Sequence, residues 1–167
     1  MVHRMYREGE LQESVGLRSF GGVYEYPYKG FARFLHDKRI YAWRHKKAGT
    51  VSEALQRVSD GFFSRVKYEE LQEISFVSLG TVSPWMEGSI ESWKKSLASL
   101  AQVHAVSFAK PSADLRDEDL LGMAPAIVAI PSGTSFSEIL NFLSRCRDYK
   151  VPVLGTVFLE GPENGKA

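Results

Sequence analysis

Apolar and polar positions follow two different periods along the second half of the chain. Short apolar runs predict strands, with β-branched residues prominent in most of them, and they lie at residues 74–82, 103–109, 126–130 and 151–159. Between them, apolar residues recur at helical spacing, as in the series Ile90, Trp93, Leu97 and Leu100. Strands that alternate with helices are typical of a parallel sheet covered on both faces. The pattern predicts a three-layer, Rossmann-like α/β domain with a mostly parallel central sheet flanked by helices.

The helix before the last strand carries clear signals at both ends. Thr134 or Ser135 can cap its start, and Glu138 is spaced as the capping-box partner of Ser135. An apolar stripe follows at helical spacing: Phe136, Ile139, Leu140, Leu143, Cys146 and Tyr149. Arg145 and Arg147 complement the helix dipole near the C-terminal end. We predict a helix that is capped at residue 134 or 135 and whose apolar stripe extends to Tyr149.

The N-terminal half has weaker periodicity. A short strand is predicted at residues 20–24, and a helix that opens at residues 50–53 has Leu55, Val58, Phe62 and Val66 on its apolar side. We therefore divide the chain into an irregular N-terminal arm or linker that packs on the domain (1–50), the α/β domain (51–160) and a flexible tail (161–167).

Composition narrows the class of protein. The chain has 167 residues, a formal net charge of +1 and a single cysteine, Cys146. One cysteine excludes an intramolecular disulfide and a cysteine-based zinc cluster, and we expect Cys146 to be a core residue. No apolar run approaches the roughly 18 residues that span a bilayer, and the N-terminus lacks a signal peptide's apolar stretch. These features predict a cytoplasmic protein.

The strand at residues 74–82 is followed by a stretch that resembles a phosphate-binding loop without its lysine. We predict a turn at residues 83–88 and a helix from Ser89, which is the strand–loop–helix order of a P-loop. Such a loop needs glycines that free backbone N–H groups, a lysine for the phosphates and a Ser/Thr hydroxyl for Mg²⁺. Gly88 and Ser89 remain, Trp85 and Met86 add bulk, and Glu87 adds negative charge. The sequence predicts that phosphate chemistry is lost here.

Basic and aromatic residues alternate in residues 29–47. A solvated face of a packed arm is the simplest interpretation. Proximity to anionic lipid headgroups and contact with single-stranded nucleic acid are alternatives. The near-neutral net charge gives no support to nucleic-acid binding, so we predict no nucleic-acid partner.

Two segments carry a family resemblance. The first consists of residues 129–135 (AIPSGTS), a helix, and then residues 153–158 (VLGTVF). The second consists of residues 11–27 (LQESVGLRSFGGVYEYP). Together they resemble the cytoplasmic domain of bacterial tyrosine autokinases and their polysaccharide chain-length-determinant relatives, whose fold is similar to that of the MinD/ParA-like P-loop ATPases. The resemblance covers about two-thirds of the chain.

The resemblance implies a kinase-like fold in capsule or exopolysaccharide assembly, and the departures from it concern the catalytic groups. The family's loop ends in Gly-Lys-Ser/Thr, whereas residues 83–89 contain no lysine. The family's Mg²⁺-binding Asp-Thr-Pro-Pro-like element corresponds to residues 108–112, where Ala109 lacks a carboxylate and Lys110 would repel a cation. We therefore predict no catalytic residue, no metal and no cofactor.

Three hypotheses follow. The first is a non-catalytic regulatory or scaffolding domain, a pseudo-ATPase. It would contact a protein partner in a membrane-associated polysaccharide assembly system, near the inner face of the membrane. This hypothesis also allows the chain to form a homo-oligomer. The second is a domain that binds a small anion or sugar nucleotide at the carboxyl ends of strands. Its predicted ligand-binding residues are Ser83, Gly88, Ser89, Lys110, Ser132, Gly133 and Thr134. The third is an unrecognised α/β enzyme, although no acid/base or nucleophilic constellation is visible.

Overall fold

A computed structural model describes residues 16–24, 51–108 and 112–161. The elements follow in the order β1 (Ser19–Tyr24), α1 (Val51–Tyr68), β2 (Glu73–Ser78), α2 (Pro84–Ala101), β3 (His104–Ser107), a 3-10 turn (Ser112–Asp114), α3 (Asp117–Leu120), β4 (Ala126–Pro131), α4 (Phe136–Asp148) and β5 (Val153–Glu160). The predicted alternation of strands and helices is confirmed.

Within these ranges the strands form one sheet in the order β1-β5-β4-β2-β3. Every neighbouring pair is parallel. All residues of β4 are buried, as expected for a strand in the interior of a sheet with both faces covered. The predicted α/β class with a parallel central sheet is therefore confirmed, and β1 adds its edge strand beside β5.

Two apolar cores cover the two faces of the sheet. On one face, α1 and α2 pack against the strands around an aromatic group in which the Phe62 ring lies 5.3 Å from Trp93 and 5.6 Å from Phe76. On the other face, α4 contributes Ile139 and Phe142. Helices α2 and α4 therefore lie on opposite faces, which gives the three layers.

Cys146 belongs to the core under α4, where only 1% of its surface is exposed. Burial raises the pKa of its thiol to about 11, because the thiolate would lose its hydration. The thiol is therefore protonated at neutral pH and packs as a small apolar group. The prediction of a core cysteine is confirmed.

Strand β2 is shorter than predicted. The expected strand at residues 74–82 ends at Ser78. Gly80 has φ of +66°, a left-handed conformation that extended backbone does not allow, so the chain turns away from the sheet directly after Leu79. Strand β3 likewise ends at Ser107 rather than at residue 109.

Candidate functional site

The carboxyl ends of β2 and β4 form the crevice in which a sheet of this type places its ligands. From β2 the chain crosses by α2 to β3 at one edge, whereas from β4 it crosses by α4 to β5 on the other side. Adjacent strands whose connections diverge in this way define a topological switch point. The residues that border the crevice are those of the two connections, 79–83 and 132–135.

Helix α2 begins five residues earlier than predicted and removes most of the expected turn. Ser83 is its N-cap, with its Oγ accepting a hydrogen bond from Met86 N at 3.4 Å, and Pro84 is the first helical residue. The predicted turn at residues 83–88 is therefore wrong. A serine followed by proline is a strong helix start, since the hydroxyl caps a free N–H and proline needs no donor there.

This helix start leaves few donors for an anion. A helix N-terminus binds phosphate through backbone N–H groups that have no partner within the helix. Pro84 has no N–H, and Met86 N already donates to Ser83. The connection at residues 79–83 is also shorter than the eight-position P-loop motif. The connection is therefore shorter than a P-loop, and positions 84 and 86 offer no free N–H to an anion.

A carboxylate of the chain itself occupies the crevice. Gly80 N donates a hydrogen bond of 3.0 Å to Glu138 Oε1, from the first turn of α4. The backbone of Glu138 is fixed at the helix start, where its N–H donates to Ser135 Oγ at 3.1 Å. The predicted capping by Ser135 is confirmed, but the carboxylate of Glu138 bonds across the crevice rather than back to its own helix. Glu138 thereby supplies the negative oxygen that a bound phosphate would supply.

The predicted ligand-binding residues are distributed unevenly around this crevice. Thr134 is buried beside Gly80, where a Cβ added to the glycine would lie 3.7 Å from Thr134 Oγ1, and its hydroxyl donates to Pro131 O at 2.6 Å. Ser132 and Gly133 are half-buried in the same turn, and Ser83 is buried at the helix start. Lys110 lies outside the described residues.

Gly88 and Ser89 are helical rather than part of a loop. Gly88 is exposed on α2, and Ser89 is buried with its hydroxyl donating to Trp85 O at 3.1 Å, so that hydroxyl is committed to the helix backbone. Neither residue borders the connections that form the crevice.

Replacing Gly88 tests this assignment. A Cβ at Gly88 would have no heavy atom within 4 Å, so we expect Gly88→Ala to raise the free energy of unfolding by about 0.5–1 kcal/mol through helix propensity. Urea denaturation followed by circular dichroism measures the change. A loss of stability instead would mean that Gly88 adopts a loop conformation that alanine cannot.

Residues that the sequence interpretation missed complete this edge of the sheet. Trp85, in the first turn of α2, reaches across β4 to the end of β5, where a Cβ at Gly161 would lie 2.5 Å from its ring. Gly80 and Glu138 were likewise not predicted as site residues. The signal for Gly80 is a glycine within the predicted strand at residues 74–82, where glycine marks an irregular backbone. The other contacts join distant parts of the chain and leave no local signal.

The part of the chain that the structure describes holds neither a metal-ligand group nor a membrane-spanning helix. There, no three His, Cys, Asp or Glu side chains group so that they could hold a metal ion. Nor does any helix in the described ranges have the length and apolarity that crossing a bilayer requires.

Comparison with known proteins finds a solved structure of similar fold but no matching sequence family. No family model matches the chain, and no curated protein matches it. Among solved structures, the BceF tyrosine kinase domain matches with a TM-score of 0.60 at 12% sequence identity, over 96% of this chain and 100% of that domain. The chain therefore shares the fold of a tyrosine kinase domain, and the predicted resemblance is confirmed at the level of fold.

Proposed function

We propose that this chain is a non-catalytic α/β domain that acts by protein contact, as a scaffold or regulator of capsule or exopolysaccharide assembly at the cytoplasmic face of the membrane. The kinase-like fold and the resemblance of residues 11–27 and 129–158 to the autokinase family support the polysaccharide setting. The observation that carries the non-catalytic half is the hydrogen bond from Gly80 N to Glu138 Oε1.

The electrostatics of the crevice support the same conclusion. Phosphoryl transfer depends almost entirely on cationic and N–H groups that stabilise the charge on the transferred phosphoryl group. Residues 79–89 supply no lysine or arginine, and Glu138 adds a negative charge where the phosphates would enter. A triphosphate would have to displace this carboxylate and would meet no compensating cation from that loop.

Calorimetric titration with Mg²⁺-ATP and with ADP tests the non-catalytic half of the proposal. We expect no binding heat at micromolar nucleotide and no ATP turnover in a parallel phosphate-release assay. Micromolar affinity, or turnover above the buffer rate, would refute it. A response to a nucleotide sugar without any response to ATP would favour the ligand-binding alternative.

Genetic complementation tests the polysaccharide half. We expect deletion of the coding sequence to lower the yield of surface polysaccharide, and both the wild-type copy and Ser89→Ala to restore it. In a P-loop, the hydroxyl at the position of Ser89 would bind Mg²⁺. Its removal should therefore lower the polysaccharide yield only if residues 83–89 still bind a nucleotide. An unchanged yield after deletion would contradict the assignment to this pathway.

A further inference from the structure

A cavity of about 240 Å³ opens beside α2 at the carboxyl ends of β2 and β3, on the opposite side of β2 from the crevice. Among the described residues, its polar lining consists of Glu87 and Glu91 from α2, with Ser78 and Ser107 from the ends of the two strands. Val82 and Ile90 form part of the apolar wall.

The two carboxylates of this cavity face the same way. Glu87 and Glu91 are four residues apart on α2 and therefore lie one above the other on one side of the helix. Glu91 Oε1 pairs with Lys94 Nζ at 2.9 Å, and the same ammonium donates to Ser107 Oγ at 3.1 Å. Glu87 has no ion-pair partner among the described residues. The described part of the lining therefore keeps a negative charge after the ammonium of Lys94 is counted.

Ser78 adds a polar atom to this lining. The residue is 5% exposed, it lines the cavity, and its hydroxyl makes no hydrogen bond to any residue that the structure describes. Its oxygen is therefore available to accept a hydrogen bond from a donor that enters the cavity.

We propose that this cavity binds the guanidinium group of an arginine side chain presented by a partner protein, an inference that rests on the proposed function of protein contact. A guanidinium has five N–H donors spread around a plane, which suits a cavity lined by several acceptors: Glu87, Glu91 and Ser78. The apolar wall of Val82 and Ile90 accommodates the methylene stem.

Other ligand classes fit this lining less well. Phosphate and other anions would meet two carboxylates. A metal ion would find only two carboxylates, one of them already paired with Lys94, and no third ligand of the His, Cys, Asp or Glu type within the described part of the chain. A guanidinium uses the carboxylates and the hydroxyl together, and it is more weakly hydrated than an ammonium, so entering a partly apolar cavity costs it less.

Titration with N-acetyl-arginine amide, followed by the backbone amide resonances of the whole chain, tests the proposal. We expect saturable shifts at Ser78, Glu87 and Glu91 with a millimolar dissociation constant, and no saturable shifts with the uncharged isostere N-acetyl-citrulline amide. Raising the salt from 50 mM to 500 mM should weaken binding several-fold.

Matched variants separate this site from general surface charge. We expect Glu87→Gln and Ser78→Ala each to weaken arginine binding at least threefold, whereas Glu118→Gln, an exposed acid on α3, leaves it unchanged. Equal shifts with citrulline, equal affinity in Glu87→Gln, or no arginine response would overturn the proposal. Adding Mg²⁺-ATP to the same samples distinguishes it from the proposed function, since saturable shifts around Gly80 would refute that function and leave the arginine result intact.

Discussion

Trp93→Ala should lower the free energy of unfolding by about 3–5 kcal/mol, the largest loss we expect from a single substitution in this domain. Trp93 is 2% exposed and packs edge-to-face against Phe62 with ring centroids 5.3 Å apart. Its Nε1 donates to Leu55 O at 3.1 Å and so joins α2 to α1. Truncation leaves a large cavity and removes the side-chain hydrogen bond that joins the two helices. Urea denaturation monitored by circular dichroism measures the loss.

Trp93→Phe is the matched control, because it keeps an aromatic ring in the cluster while removing the indole N–H. We expect it to cost clearly less than the alanine variant, since it forfeits the hydrogen bond, worth roughly 1 kcal/mol, and only part of the packing. A loss below about 1 kcal/mol in Trp93→Ala would contradict the packing of α1 and α2 on this face.

Gly155→Ala should be destabilising by about 3 kcal/mol, at the upper end for overpacking a core. A Cβ at Gly155 would lie 2.7 Å from Arg18 O and 2.7 Å from the Phe20 ring. Neither neighbour can retreat easily, because Arg18 O accepts the hydrogen bond from Thr156 N at 2.9 Å and the Phe20 ring packs 4.9 Å from Phe62. The added methyl should therefore push β1 away from β5.

The denaturation curve of Gly155→Ala, set against that of Gly88→Ala, measures this effect. Both variants add the same methyl group, but Gly88 has open space around it. Stability equal to that of the wild type in Gly155→Ala would mean that β1 does not lie against this part of β5.

Local patterns along the chain predicted the layers of this fold well. The all-apolar run at residues 126–130 became the fully buried β4, and Ser135 became the N-cap of α4, because both features depend on residues close in sequence. The alternation of strands and helices was enough to predict a parallel sheet, since parallel strands require crossover connections.

The site could not be predicted to the same depth. Comparison with a P-loop predicts that α2 starts at Ser89, although Ser83 followed by Pro84 signals an earlier helix start. The bond between Gly80 and Glu138 joins residues 58 positions apart, and the local capping-box pattern assigned that carboxylate to its own helix. Only the sheet order, which sets β2 beside β4, brings the two together.

The amide resonance of Gly80 during a titration with Mg²⁺-ATP tests most directly whether the chain fills its own nucleotide crevice. Because Gly80 N already donates to Glu138, we predict that this resonance in the wild-type protein stays unchanged up to millimolar nucleotide. In Glu138→Gln, where the acceptor loses its charge, we expect the same titration to shift the resonance. A saturable shift of Gly80 in the wild-type protein at micromolar Mg²⁺-ATP would contradict the account.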